Sequence, residues 1–252
     1  MRARGGILGR NMMAALSISW FYGYTQLRRN IFWSFHYALS PLAFFFFIYI
    51  YGGRLGAPYA IAGGLVMITL AASVSMETEA AFNRIVLKLQ EVYVASPISP
   101  TAYVLGLAMA NGLSAIPGMA LMLSIAGLLA DLTPRFFLAV FSSLPLIWLT
   151  FSSFGFLLST LARDVKDLWT WTPIITGLLS VLPPVFYPLE LLPGNLRWIA
   201  YAIPSATASR LIQESLGVVD LGGEAALLWI ALATHTGVAL TILLKKVRWR
   251  LP

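Results

Sequence analysis

Long apolar runs separated by short, mostly basic turns dominate the chain. A helix that crosses a bilayer needs about 20 mainly apolar residues. Six stretches meet that requirement: 31–51 ("IFWSFHYALSPLAFFFFIYIY"), 57–76, 101–130, 135–161, a run from Leu168 to the prolines at 183–184, and 225–244. Ahead of the first run, Met13, Leu16, Trp20, Tyr24 and Leu27 recur at spacings of three and four, which places them on one helical face. Arg10, Arg28 and Arg29 flank them, so the pattern predicts a helix over 11–29 lying in the membrane interface, with tryptophan and tyrosine at headgroup level. The opposite face carries Ile18 and Tyr22 and is not cleanly polar, which leaves a simple extension of the first span as the alternative.

Two segments break the pattern. Residues 76–106 are the most charged part of the chain, with Glu77, Glu79, Arg84, Lys88 and Glu91. Phe82, Ile85, Val86 and Leu89 again follow helical spacing, predicting an amphipathic helix over 79–92 that Pro97 and Pro100 terminate. Such a helix either docks into a partner's groove or lies passively at the interface. The second segment begins "VLPPVFYPLELLPGN" at residue 181. Proline removes a backbone donor, and broken backbone at membrane depth survives only where protein or water covers it. Residues 189–220 are too apolar for an aqueous loop yet are interrupted by Pro193, Gly194 and Pro204. They predict a re-entrant hairpin over 188–217, with short helices at 194–203 and 205–217. Leu196, Ile199, Ala200 and Ile203 form the buried face of the first, Ser205 caps the second, and Arg210 pairs with Glu214.

Composition agrees with a membrane protein. The chain of 252 residues is 59% hydrophobic and 11% charged, where a soluble domain carries about 25% charged residues. The fold class is therefore an all-α polytopic membrane protein, one transmembrane domain over 1–252. The net charge of +7 follows from basic residues at membrane flanks and does not call for nucleic acid. With the N-terminus inside, thirteen of the seventeen Lys and Arg fall in inner segments, and only Arg54, Arg135, Arg197 and Arg210 fall outside. This predicts six spans with both termini cytoplasmic. No cleavable signal peptide is evident, because Arg28 and Arg29 follow the first apolar stretch where a small-residue cleavage site would stand. No cysteine is present, and His36 and His235 are far apart in apolar runs, so no metal site is expected.

The order of elements, together with "VYVASPISPTAYVLG" and "PPVFYPLELLPGNLRWIAYAIPSATASRLIQ", resembles the membrane subunit of ABC-2 type transporters. Phe186, Pro188, Leu192, Pro193, Trp198 and Pro204 match the family's proline-rich run, with Ile203-Pro204 where an Asn-Pro turn often stands. Pro183 and Pro184 open the same re-entrant turn. The resemblance implies that the loop after span two is a coupling helix seated in a separate ATPase, with Glu79, Phe82, Arg84, Leu87, Lys88 and Glu91 as contacts. Arg163 and Asp164 in "ARDVKDL" are a second contact or ordinary flanking charge.

The chain lacks G-x-x-x-x-G-K-[ST], so ATP and magnesium would belong to that partner, and no cofactor is expected here. The resemblance further implies two membrane subunits, a homodimer by default, and two ATPase subunits in a prokaryotic inner membrane. A translocation path between the membrane subunits, lined by spans one, two and five, would expose His36, Tyr37, Tyr49, Thr69, Ser73, Thr172 and Thr176. Hydroxyls inside spans also serve as helix–helix glue. These spans hold almost no ionisable groups, which favours an apolar or amphipathic substrate such as a lipid or hydrophobic drug and leaves a lipid-linked glycan open. The competing readings are a non-transporting receptor or assembly factor, and a membrane-embedded lipid-modifying enzyme. The second would need clustered carboxylates or an activated nucleophile, which the sequence does not offer.

Overall fold

The computed structural model describes residues 2–246. The chain opens with α1 (Arg2–Ser19), a π-helical turn (Trp20–Tyr24) and α2 (Thr25–Arg29), one nearly continuous rod. The predicted apolar stripe of Met13, Leu16, Trp20 and Tyr24 is its exposed face, with Trp20 and Tyr24 stacked at 3.9 Å. The opposite face is not polar because it is packed. Ala15, Ile18 and Gly23 are buried against a later helix, α6.

The first and second apolar runs form α3 (Ile31–Val74), nominally 44 residues. A straight helix of that length would extend about 66 Å, twice the ~30 Å thickness of hydrocarbon. It is broken at Gly53, whose φ of 55° and ψ of −145° suit glycine alone. The chain turns back there. A Cβ on Gly56 would lie 2.9 Å from the carbonyl of Ile48, eight residues earlier, where a straight helix separates such residues by about 12 Å. Far from the turn, Tyr37 Oη and Ser75 Oγ are hydrogen-bonded at 2.8 Å. The arms 31–52 and 54–74 therefore run antiparallel. The second arm is the centre of the core, with Ile61, Leu65, Ile68 and Leu70 fully buried.

Next come α4 (Met76–Ile85) and α5 (Leu89–Ala95), where one helix over 79–92 was predicted. Lys88 takes a left-handed conformation (φ 52°) and divides them, so the apolar spacing of this segment is shared between two short helices. The long helices α6 (Pro100–Leu129) and α7 (Pro134–Leu161) begin with the same device: proline in the first turn, and Ser99 or Thr133 accepting a hydrogen bond from Ala102 N or Phe136 N. α8 (Val165–Val181) follows, and after it the proline segment. The described helices end with α11 (Glu224–Lys246). Stretches within α3, α6, α7 and α11 are long and apolar enough to cross a bilayer. Arg248 and Arg250, counted among the inner charges, lie outside the described residues.

The proline segment differs from the predicted hairpin. In place of a helix over 194–203 there are single turns at Leu189–Leu191 and Gly194–Leu196 and a one-turn α9 (Ile199–Ala202). Within the face expected to be buried, Ala200 is buried, Ile199 and Ile203 are half-buried, and Leu196 is exposed. Only α10 (Pro204–Ser215) is a substantial helix. It is buried although rich in polar groups: Ser205, Thr207, Ser209, Arg210 and Gln213 all lie inside the bundle.

Their partners explain why. In a helix, the N–H of residue 183 would satisfy the carbonyl of Leu179, and that of residue 204 the carbonyl of Ala200. Both residues are proline and carry no N–H. Ser205 Oγ donates to Leu179 O, and Thr207 Oγ1 donates to Ala200 O at 2.7 Å. The carbonyl of Val185, just ahead of Pro188, accepts from Ser209 Oγ (2.6 Å) and Gln213 Nε2 (3.3 Å). Ser205 is thus not a helix cap; Ile203 occupies that position. Nor does Arg210 pair with Glu214. Its guanidinium reaches back to Glu190 Oε1 at 3.6 Å and ties α10 to the turn above it.

The substitution Thr207→Val should lower stability by ~1 kcal/mol by orphaning the Ala200 carbonyl. In a Pro204→Ala background, which restores the missing N–H, the same substitution should cost measurably less. A double-mutant cycle on apparent melting temperature in detergent checks this.

Candidate functional site

Two regions carry the predicted site residues. The first is the end of the bundle built by α4, α5 and the α7–α8 turn. Phe82, Leu87, Lys88 and Glu91 are exposed, together with Val86 and Val92, which the sequence reading passed over as contacts. They form an apolar patch with a few charges around it. Glu79 and Arg84, expected to face a partner, instead turn inward. Arg84 donates to Ser159 O (2.5 Å) and Ala162 O (3.0 Å), the last carbonyls of α7, and so caps that helix with a cation as its dipole favours. Burial lowers the pKa of the Arg84 guanidinium from its ordinary value.

The Arg84 contact also brings the second predicted contact, residues 162–168, beside α4. There Arg163 is exposed, and Asp164 accepts from Lys166 N at 3.1 Å as the N-cap of α8. Burial pushes the Glu79 carboxyl above its ordinary range, and the same cause raises Glu77. Glu77 is fully buried and accepts a hydrogen bond from Thr172 on α8, a contact across 95 residues that no spacing pattern announced.

The second region is the predicted path. The arms of α3 do not share it equally. Thr69 and Ser73, on the inner arm, are buried and return their hydroxyls to Leu65 O and Thr69 O. Tyr37 is buried against Ser75. Thr69 and Ser73 face the interior of the bundle, on the arm of α3 whose residues 60–70 are all buried, and Tyr37 meets the end of that arm. His36 is exposed beside Tyr37, ring centroids 3.8 Å apart, and Tyr49 is half-buried with its ring stacked on Phe45. Thr172 and Thr176 are half-buried on α8. The outward surface of the first arm and of α8 is instead aromatic and aliphatic: Phe32, Phe47, Tyr51, Trp169, Trp171 and Leu182.

The proline residues follow α8, at the opposite end of that helix from the α7–α8 turn. Pro183 and Pro184 are buried, Pro188 and Pro204 half-buried, and Pro193 exposed. Phe186 lies over Gly63 so closely that a Cβ there would sit 2.3 Å from its ring, and it stacks on Phe44 at 5.1 Å. The chain thus seats one ring of the proline run between the two arms of α3.

Comparison with known families decides the assignment: the ABC-2 type transporter family matches residues 6–216, from α1 to just past α10. The chain belongs to the ABC-2 type transporter family. No curated protein sequence matches it. This ABC-2 permease is therefore the membrane part of a transporter. The matched segment contains α4, α5 and the whole proline run, and α11 lies beyond it.

A carboxyl with a raised pKa binds its proton more tightly in the folded than in the unfolded chain. Its contribution is present below the unfolded value and is lost as pH rises from 4.5 through the folded value. Glu79→Gln should therefore flatten the fall of the permease's apparent melting temperature across that window, which a detergent-solubilised pH series from about 4 to 8 reads directly.

Proposed function

We propose that the permease is the membrane-spanning half of an ATP-driven exporter for an apolar or amphipathic substrate, a drug, a lipid or a lipid-linked glycan. It would span the inner membrane of a prokaryote six times, the two arms of α3 counting separately, with both termini cytoplasmic. The observation that carries this reading is the exposed apolar patch within Phe82–Val92, on an end of the bundle where Arg84 is turned inward to cap α7. An apolar patch that the protein itself does not cover marks an interaction surface. In this family, its natural occupant is a separate ATPase that binds ATP and magnesium. Arg84 couples that surface to the end of α7, and Glu77–Thr172 couples it to α8, so a push on α4 and α5 reaches two long helices without passing through flexible chain.

One such subunit encloses no path. The aromatic face of residues 31–52 and α8 supports a second copy of the chain as its partner, giving a homodimer with two ATPases. His36, Tyr49, Thr172 and Thr176 are the predicted path residues that remain at or near that face. The near absence of ionisable groups along it supports an apolar or amphipathic cargo.

The test is co-purification in mild detergent from the native host. A P-loop ATPase should accompany the chain in stoichiometric amount. Replacing Phe82 and Leu87 by serine should reduce recovery of the ATPase by roughly tenfold, the effect of losing a central apolar anchor, while the permease still inserts and purifies. Absence of any ATPase across several detergents would contradict the assignment.

A further inference from the structure

Between the start of α4, the end of α7 and the first turns of α8 lies a cavity of ≈ 300 Å³. Leu158, Leu161, Ile175 and Trp171 wall it, and two carboxylates line it, buried Glu77 and exposed Asp167. Glu77 Oε1 accepts from Thr172, whereas Oε2 has no hydrogen-bond partner. Among the described residues Glu77 has no ion-pair partner either. Ionised, this buried carboxylate lacks a counter-ion and one of its oxygens lacks a donor. The cavity beside it is where the missing group can sit.

The walls say what kind of group that is. A hard metal ion takes six or more oxygen ligands, or near-ideal octahedral geometry with retained waters. Here the surroundings are leucine, isoleucine and indole, and no group of three metal-ligating side chains occurs among the described residues. An ammonium ion bearing apolar substituents suits all three features at once. Its charge answers Glu77, its substituents fill the aliphatic wall, and the indole of Trp171 offers a face to a cation.

We propose that this cavity binds a hydrophobic ammonium ion, with Glu77 as its counter-charge and Asp167 as the carboxylate at its entrance. Such an ion has two sources, the headgroup of an amine-bearing lipid or a free lipophilic amine. The proposal goes beyond the transport reading, since binding requires neither the ATPase nor turnover and its failure would leave that reading standing.

Radiolabelled tetrabutylammonium, dialysed to equilibrium against the purified full chain in dodecyl maltoside, tests it in a medium free of amines and net charge. Saturable binding at one site per chain is expected. Glu77→Gln should weaken it by at least roughly tenfold, and Asp167→Asn or Trp171→Ala by about threefold. Displacement by added phosphatidylethanolamine but not by phosphatidylglycerol would identify the lipid source; displacement by neither would identify the free amine, and both results support the site. Displacement by both lipids alike would overturn it, as would absence of saturable binding or equal affinity in wild type and Glu77→Gln. Should Glu77→Gln fail to fold, the rim variants Asp167→Asn and Trp171→Ala carry the test, and unchanged affinity in both overturns the proposal.

Discussion

Three carbonyl oxygens left without donors by proline govern how this permease is built. Leu179, Ala200 and Val185 each present a carbonyl that a regular helix or turn would satisfy, and Pro183, Pro204 and Pro188 withhold the N–H groups. In a bundle this apolar, an unpaired carbonyl costs about 1–3 kcal/mol. α10 supplies the substitutes, with Ser205, Thr207, Ser209 and Gln213 aimed at those oxygens. It can do so only by lying inside the protein, and the rest follows from that placement. With α10 inside, Leu211 and Ile212 join the core around the inner arm of α3. The proline run is then held where Phe186 covers Gly63 and stacks on Phe44, and Arg210 is drawn to Glu190 on the turn above.

At the other end the same economy holds with charges. α4 brings Glu77, Glu79 and Arg84 towards the bundle, and each is turned to internal use or to a cavity. Arg84 closes the carbonyl end of α7, and Asp164 opens α8 as its N-cap. What remains outside on α4 and α5 is mainly apolar: Phe82, Val86, Leu87 and Val92, with Lys88 at the break and Glu91 in the first turn of α5. A surface of that kind fits a partner whose affinity comes from burying apolar area, with its position fixed by the rigid ends of α7 and α8.

Much of this architecture was legible in the chain. Run length located the apolar helices, including the two arms of α3, because glycines stand between two apolar runs at 52–53. The proline run announced broken backbone, and the family resemblance rested on it. What escaped was side-chain direction. The stripe Met13–Leu27 was read correctly as a face, but Ile18 on the other side is a packing residue, since α6 offers small residues to meet it. Thr69 and Ser73 are buried on the inner arm of α3, a placement that composition alone does not give. The Arg210–Glu214 spacing was a sound local rule that lost to a tertiary partner, Glu190. One signal was present and unread: Ser205, Ser209 and Gln213 recur every four residues, a polar stripe along one face of a helix set in apolar sequence. Glu77–Thr172 had no such signal, because only the fold brings residue 77 to residue 172.

The absence of cysteine makes the decisive measurement direct, since each introduced thiol is the only one in the chain. Single cysteines at Ala208 and Ser209 on α10, and at Leu191 and Leu196 on the turns before it, would be exposed to a bulky water-soluble maleimide in opened membranes. If α10 is the buried helix that completes the broken backbone, Leu191→Cys and Leu196→Cys label readily, while Ala208→Cys and Ser209→Cys stay unlabelled until the protein is denatured. Labelling of the α10 positions as fast as the turn positions in folded protein would contradict it, and would return the proline segment to the status of a surface loop.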